Sequence, residues 1–100
     1  MGAGEERTQE GWETVMYQII IKREALKELE VLPKSSVAAI AAAIDKLAMQ
    51  PRPPGCKKLK GSADSLWRVR VGDYRVIYKV DDPILIVEVR KIGHRREIYE

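Results

Sequence analysis

The sequence has one cysteine, one histidine and no phenylalanine. A lone Cys56 excludes an internal disulfide, and one cysteine with one histidine cannot build a Cys/His zinc site. No run of eighteen apolar residues is present, so no membrane-spanning helix is expected. The amino terminus lacks the basic, apolar, small-residue order of a secretory leader, and a reducing cytoplasm without a membrane partner is the expected setting. No GxSxG, P-loop or HExxH pattern occurs, which removes support for serine esterase chemistry, P-loop nucleotide hydrolysis and zinc proteolysis.

What is there fits one domain. One hundred residues leave no room for a second independent core. Hydrophobic residues at 45% and charged residues at 33% suit a globular chain. The net charge of +3 is unevenly spread. Residues 1–50 carry six Lys/Arg against eight Asp/Glu, and residues 51–100 carry twelve against seven. The basic half points to a polyanion or an acidic protein as partner.

Residues 1–15 are rich in Gly and Glu with no apolar period, and are read as a disordered extension before a domain over 16–100. Tyr17–Lys22 is short and β-branched, a strand. Glu24–Leu32 spaces Ala25, Leu26, Leu29 and Leu32 as a helix, which Pro33 stops. A second helix, capped by Ser35 or Ser36, sets Val37, Ile40, Ala41, Ile44, Leu47 and Ala48 on one stripe and ends before PRPPG. The rest is extended: Leu66–Val71, a Gly72-Asp73 turn, Tyr74–Val80, then Ile84–Ile92 after Asp81-Asp82-Pro83. The order β-α-α-β-β-β predicts an α+β fold, a two-helix hairpin packed on one face of a mostly antiparallel four-stranded sheet.

The length of the hairpin turn sets its register. A two-residue turn pairs Val71 with Tyr74, Arg70 with Arg75, Val69 with Val76, Arg68 with Ile77 and Trp67 with Tyr78. One face then carries Trp67, Val69, Val71, Tyr74, Val76 and Tyr78, and suits the helices. The other gathers Arg68, Arg70 and Arg75, with Lys79 further along. Arg70 opposite Arg75 is a like-charge pair, unfavourable unless it is solvated or an anion lies between the guanidinium groups. Lys57, Lys58 and Lys60 precede the hairpin, and Lys91 and Arg96 flank the end of the last strand. Contacts from such groups to phosphates would be largely independent of sequence and sensitive to salt. His94 is the one side chain whose unperturbed pKa lies in the working range, and Tyr99 offers a ring for stacking.

The stretch KKLKG…LWRVRVGDYRVIYKV…ILIVEVRKIGHRREIY resembles the RelE/ParE toxin superfamily, and its GHRREIY ending looks like the RelE branch. The resemblance runs from about Met16 to Glu100. It implies the RelE-like fold and the toxin half of a type II toxin–antitoxin pair. The activity implied is ribosome-dependent endoribonuclease action on mRNA in the A site, without metal or other cofactor, by attack of the ribose 2′-hydroxyl. It also implies a cognate antitoxin, with operator DNA met only through the antitoxin complex.

By position, the family's two basic residues before the turn fall on Arg68 and Arg70, its arginine after the turn on Arg75, its arginine after the last strand on Arg95, and its terminal tyrosine on Tyr99. Relatives often have lysine at the places of Arg68 and Arg70. Arginine cannot take a proton at neutral pH. The base is therefore sought among His94, Glu97 and Tyr99. A gyrase-inhibiting ParE-like poison, or an inactive relative that only binds antitoxin and operator, are the competing expectations.

Overall fold

The computed structural model describes residues 16–61 and 65–94. The expected extension at residues 1–15 lies outside that range. Strand β1 (Gln18–Ile21) is followed by helices α1 (Arg23–Glu30) and α2 (Lys34–Leu47), then by β2 (Lys57–Lys58), β3 (Leu66–Val71), β4 (Tyr74–Asp81) and β5 (Ile86–His94). The sheet order is β1-β5-β4-β3-β2; β1 runs parallel to β5 and the other pairs are antiparallel. The class is the expected α+β with two helices on one face.

The sheet has five strands where four were expected. Lys57 pairs with Arg68 and Lys58 with Trp67, which turns the start of KKLKG into a short edge strand. Lysine is a poor strand former, so only the tertiary pairing reveals it. Lysines on a two-residue edge also discourage pairing with other chains.

The hairpin register is the expected one, pair for pair from Val71–Tyr74 to Trp67–Tyr78. Gly72 takes φ +60°, the left-handed value that a tight two-residue hairpin turn needs at its first central position and that glycine adopts without steric cost. The third long strand starts later than its apolar run. Asp82 O accepts from Leu85 N–H at 3.2 Å and Leu85 has φ +54°, so Ile84 and Leu85 belong to the turn.

The start of α2 also differs. Neither Ser35 nor Ser36 caps it; the helix opens at Lys34 with Pro33 at the cap position and no side-chain cap bond. Pro33 has φ −57° and its carbonyl accepts from Val37 N–H at 3.0 Å, so one proline ends α1 and starts α2.

The core lies between the helices and one sheet face. Ala25, Leu29, Ile40, Ile44 and Leu47 meet Val76, Tyr78, Val87, Val89 and Ile92 there, with Trp67, Val69, Val71 and Tyr74 packed around them. Helix α1 packs on β5, and α2 on β1 and β3. Leu26 and Ala41, expected on the buried stripes, are exposed, because each helix offers the sheet a narrower face than the sequence period suggests. Among the described residues no helix is long and apolar enough to cross a membrane.

Candidate nucleic-acid interface

Because side chains alternate along a strand, the core assignment fixes what the opposite face carries. Across β3, β4 and β5 the register places Arg70, Arg75 and Gly93 in one row. The next row is Lys57, Arg68, Ile77 and Lys91. Beyond it stand Leu66, Lys79 and Glu88. Strand order and register alone thus bring Arg68, Arg70 and Arg75 together.

The three arginines are not equivalent. Arg70 is exposed and Arg75 is half-buried, whereas Arg68 is only 2% exposed, beside Ile77 at 5%. Arg70 is therefore the most accessible of the three and Arg75 partly so, whereas Arg68, one row along the same face, is covered. Gly93 lies across from Arg75 with no side chain to fill the space in front of it. The same row thus juxtaposes two cations and a residue without a side chain.

The other basic residues scatter more. Lys57 falls on the arginine face, but Lys58, paired with Trp67, falls on the helix side. Lys60 is exposed in the turn after β2. Lys79 pairs with Glu88, so an acid borders the basic patch there. Arg90 Nε donates to Glu88 Oε1 at 2.6 Å. Lys91 is exposed beside a cleft of about 440 Å³ lined by Glu28, Val31, Leu32, Tyr74 and His94.

His94 departs from expectation. It pairs with Tyr74, on the face opposite to Arg70 and Arg75, and its ring stands edge-on to Tyr74 with centroids 5.7 Å apart and an interplanar angle of 79°. Strand alternation puts it there: Gly93 takes the outward position and His94 the inward one. The structure does not bring His94 to the arginines. Arg95, Arg96 and Tyr99 lie outside the described residues.

Two residues of the site were missed in the sequence. Ile77 is an apolar side chain on the basic face, visible as the break in the alternation of YRVIYKV. Gly93 had no signal, because its meaning depends on lying across from Arg75. Among the described residues no group of three His, Cys, Asp or Glu side chains could hold a metal.

A family model described as ParE toxin of type II toxin–antitoxin system, parDE, matches residues 19–99. The chain belongs to the RelE/ParE toxin superfamily. Among its relatives, a protein of Methanocaldococcus jannaschii named as a RelE1 toxin is 38% identical over 89 residues, covering 84% of this chain and 96% of that protein. Toxin RelE of Mycobacterium tuberculosis is 33% identical, covering 83% and 86%. In solved form, the archaeal RelE–RelB complex from Pyrococcus horikoshii superposes with a TM-score of 0.73 at 32% identity, over 83% of this chain and 99% of that one. This RelE/ParE-type chain is thus a type II toxin by family, with the α+β fold seen in its solved relatives.

Proposed function

We propose that this toxin is a ribosome-dependent endoribonuclease that cuts messenger RNA in the ribosomal A site. The observation that carries the reading is the row Arg70–Arg75–Gly93, two cations in register beside a residue without a side chain. In the step proposed, a ribose 2′-oxygen attacks the adjacent phosphorus, the bond to the 5′-oxygen breaks, and the leaving oxygen takes a proton from water, so that the products are a cyclic phosphate and a free 5′-hydroxyl. The phosphorane between them gathers negative charge. Preorganised cations hold such charge best where water is scarce. Arg70 and Arg75 meet the phosphate oxygens, Arg68 adds charge from the next row, and Arg95 joins them by resemblance to the family. Tyr99 stacks on a splayed base. The 2′-hydroxyl proton goes to Glu97 or Tyr99, since His94 is turned to the other face. Lys57, with Lys60 and Arg96, supplies contacts to the RNA backbone that do not depend on sequence.

The partner is a cognate antitoxin that lays an acidic segment over this face. The Pyrococcus horikoshii relative was solved as a complex with RelB, which supports such a partner.

The test is induction of the toxin in cells, with mapping of message ends. The expected result is cut messages for the wild type and intact ones for Arg75→Ala, whose melting temperature stays close to the wild-type value. An Arg75→Ala protein that is inactive only because it unfolds would sink the phosphate-site reading. The matching family model is described by ParE, which favours a second reading, a gyrase poison with no RNA chemistry. Whole messages with arrested supercoiling would establish that reading. Neither effect would leave a relative that only binds its antitoxin and operator.

A further inference from the structure

Strand β5 outruns its parallel neighbour. Strand β1 pairs with it from Ile86 to Val89, and Lys22 N–H closes the ladder on Val89 O at 2.9 Å before the chain turns into α1. The pairing with β4 slips just beyond this point, between Ile77 and Tyr78, and leaves Arg90 as the extra residue of a bulge. From there to His94, β5 has β4 on one side and, among the described residues, no strand on the other. On that open side the Ile92 backbone N–H donates to Glu28 Oε1 at 2.9 Å. Glu28 is well placed for this, because Ala25 and Leu29 on the same helix are buried against the sheet at 0% and 9% exposure. A carboxylate accepting from a backbone N–H makes a charge-assisted bond, stronger than an amide–amide one.

One feature of the site hangs on this stretch of strand: Gly93 lies across from Arg75. We propose that Glu28, on the far side of the sheet's edge from the arginines, is a positioning residue for the cleavage reaction. Its bond to Ile92 holds the end of β5 beyond β1, so that Gly93 keeps its place across from Arg75. Glu28 touches no RNA. The inference rests on the cleavage reading above.

The experiment measures single-turnover cleavage on message-programmed ribosomes, with the full chain, for wild type, Glu28→Ala, Glu28→Met and Glu28→Gln. Methionine fills the space of glutamate without accepting a hydrogen bond, and keeps the test open if the alanine variant fails to fold. The saturating rate should drop roughly ten- to a hundredfold in Ala or Met and no more than about threefold in Gln, the scale of a small misplacement of reacting groups. The ribosome concentration giving half the maximal rate should not move. In parallel, exchange of the Ile92 amide with solvent should stay slow in wild type and Gln and become fast in Met. A merely structural role would lower the folded fraction and leave the rate per folded molecule alone. Wild-type rates in the Met variant, a loss confined to ribosome affinity, or Gln as impaired as Met would each overturn the inference while the cleavage reading stood. A wild-type protein that leaves every message whole would overturn that reading and this inference with it.

Discussion

His94 shows how one residue's role turns on a single step of strand alternation. Its chemistry suits a general base, and its neighbours in sequence are the basic residues of the site. Yet Gly93 occupies the outward position, and His94 packs edge-on against Tyr74 instead. We expect His94→Gln to cleave at close to the wild-type rate. Its cost should appear in stability, at about 0.5–1.5 kcal/mol for the lost aromatic pair, read by denaturant unfolding. A fall in single-turnover rate of about a hundredfold, the usual scale for removing a general base, would return His94 to the mechanism. Tyr78 makes the same point for the interior. It is fully buried, its hydroxyl donates to Pro51 O at 2.7 Å, and burial holds its phenol in the protonated form that this bond needs.

At the scale of elements, the PRPPG stretch does more than end α2. Arg52 lies over the Trp67 ring with its guanidinium carbon 5.2 Å from the centroid, and its two terminal nitrogens reach Asp82 at 3.2 and 2.7 Å. Tyr17 donates to the same carboxylate at 2.6 Å. The start of β1, the loop before β2 and the β4–β5 turn are thereby tied together at one end of the sheet, which steadies the lysine-bearing edge strand. The hydrogen bonds from Arg52 and then Tyr17 hold the Asp82 carboxyl down at about 2. A depressed acid stabilises the fold fully above its ordinary value of 3.8, and that stabilisation drains away as the pH falls towards 2. The melting temperature of the wild type should therefore fall more steeply over that window than that of Asp82→Asn, and the two curves should converge at the acid end. Since the cluster is exposed, the gap at neutral pH should be small and shrink in salt. Parallel curves through the window would show that the cluster contributes nothing.

For the molecule as a whole, charge is arranged by topology. Strand β1 and the two helices carry four Lys/Arg against four Asp/Glu, whereas β2 to β5 carry eight against two. The excess positive charge therefore gathers on the sheet, and its outer face presents it. An acidic antitoxin segment attracted to that face should associate quickly at low ionic strength, with a rate that falls at least about tenfold by moderate salt. Stopped-flow mixing at stepped salt concentrations checks this; a rate indifferent to salt would remove electrostatics from the account of neutralisation.

Most of the fold and half of the site were legible in the residue order. Strand alternation and a Gly-containing two-residue turn determine the β3–β4 register, and with it the meeting of Arg68, Arg70 and Arg75, because both are local constraints on neighbouring backbone. The helices were equally plain, since their apolar period is local too. What the chain's order could not show depends on partners distant in sequence. The lysines of β2 become a strand only beside β3, Arg68 is enclosed only once the sheet is assembled, and Gly93 matters only because it lies across from Arg75. Glu28 and Ile92 are far apart along the chain and meet only because β5 outruns β1. Sequence by itself determined which face of the hairpin is basic; tertiary structure decided which of those bases can be reached, and placed the histidine on the other side.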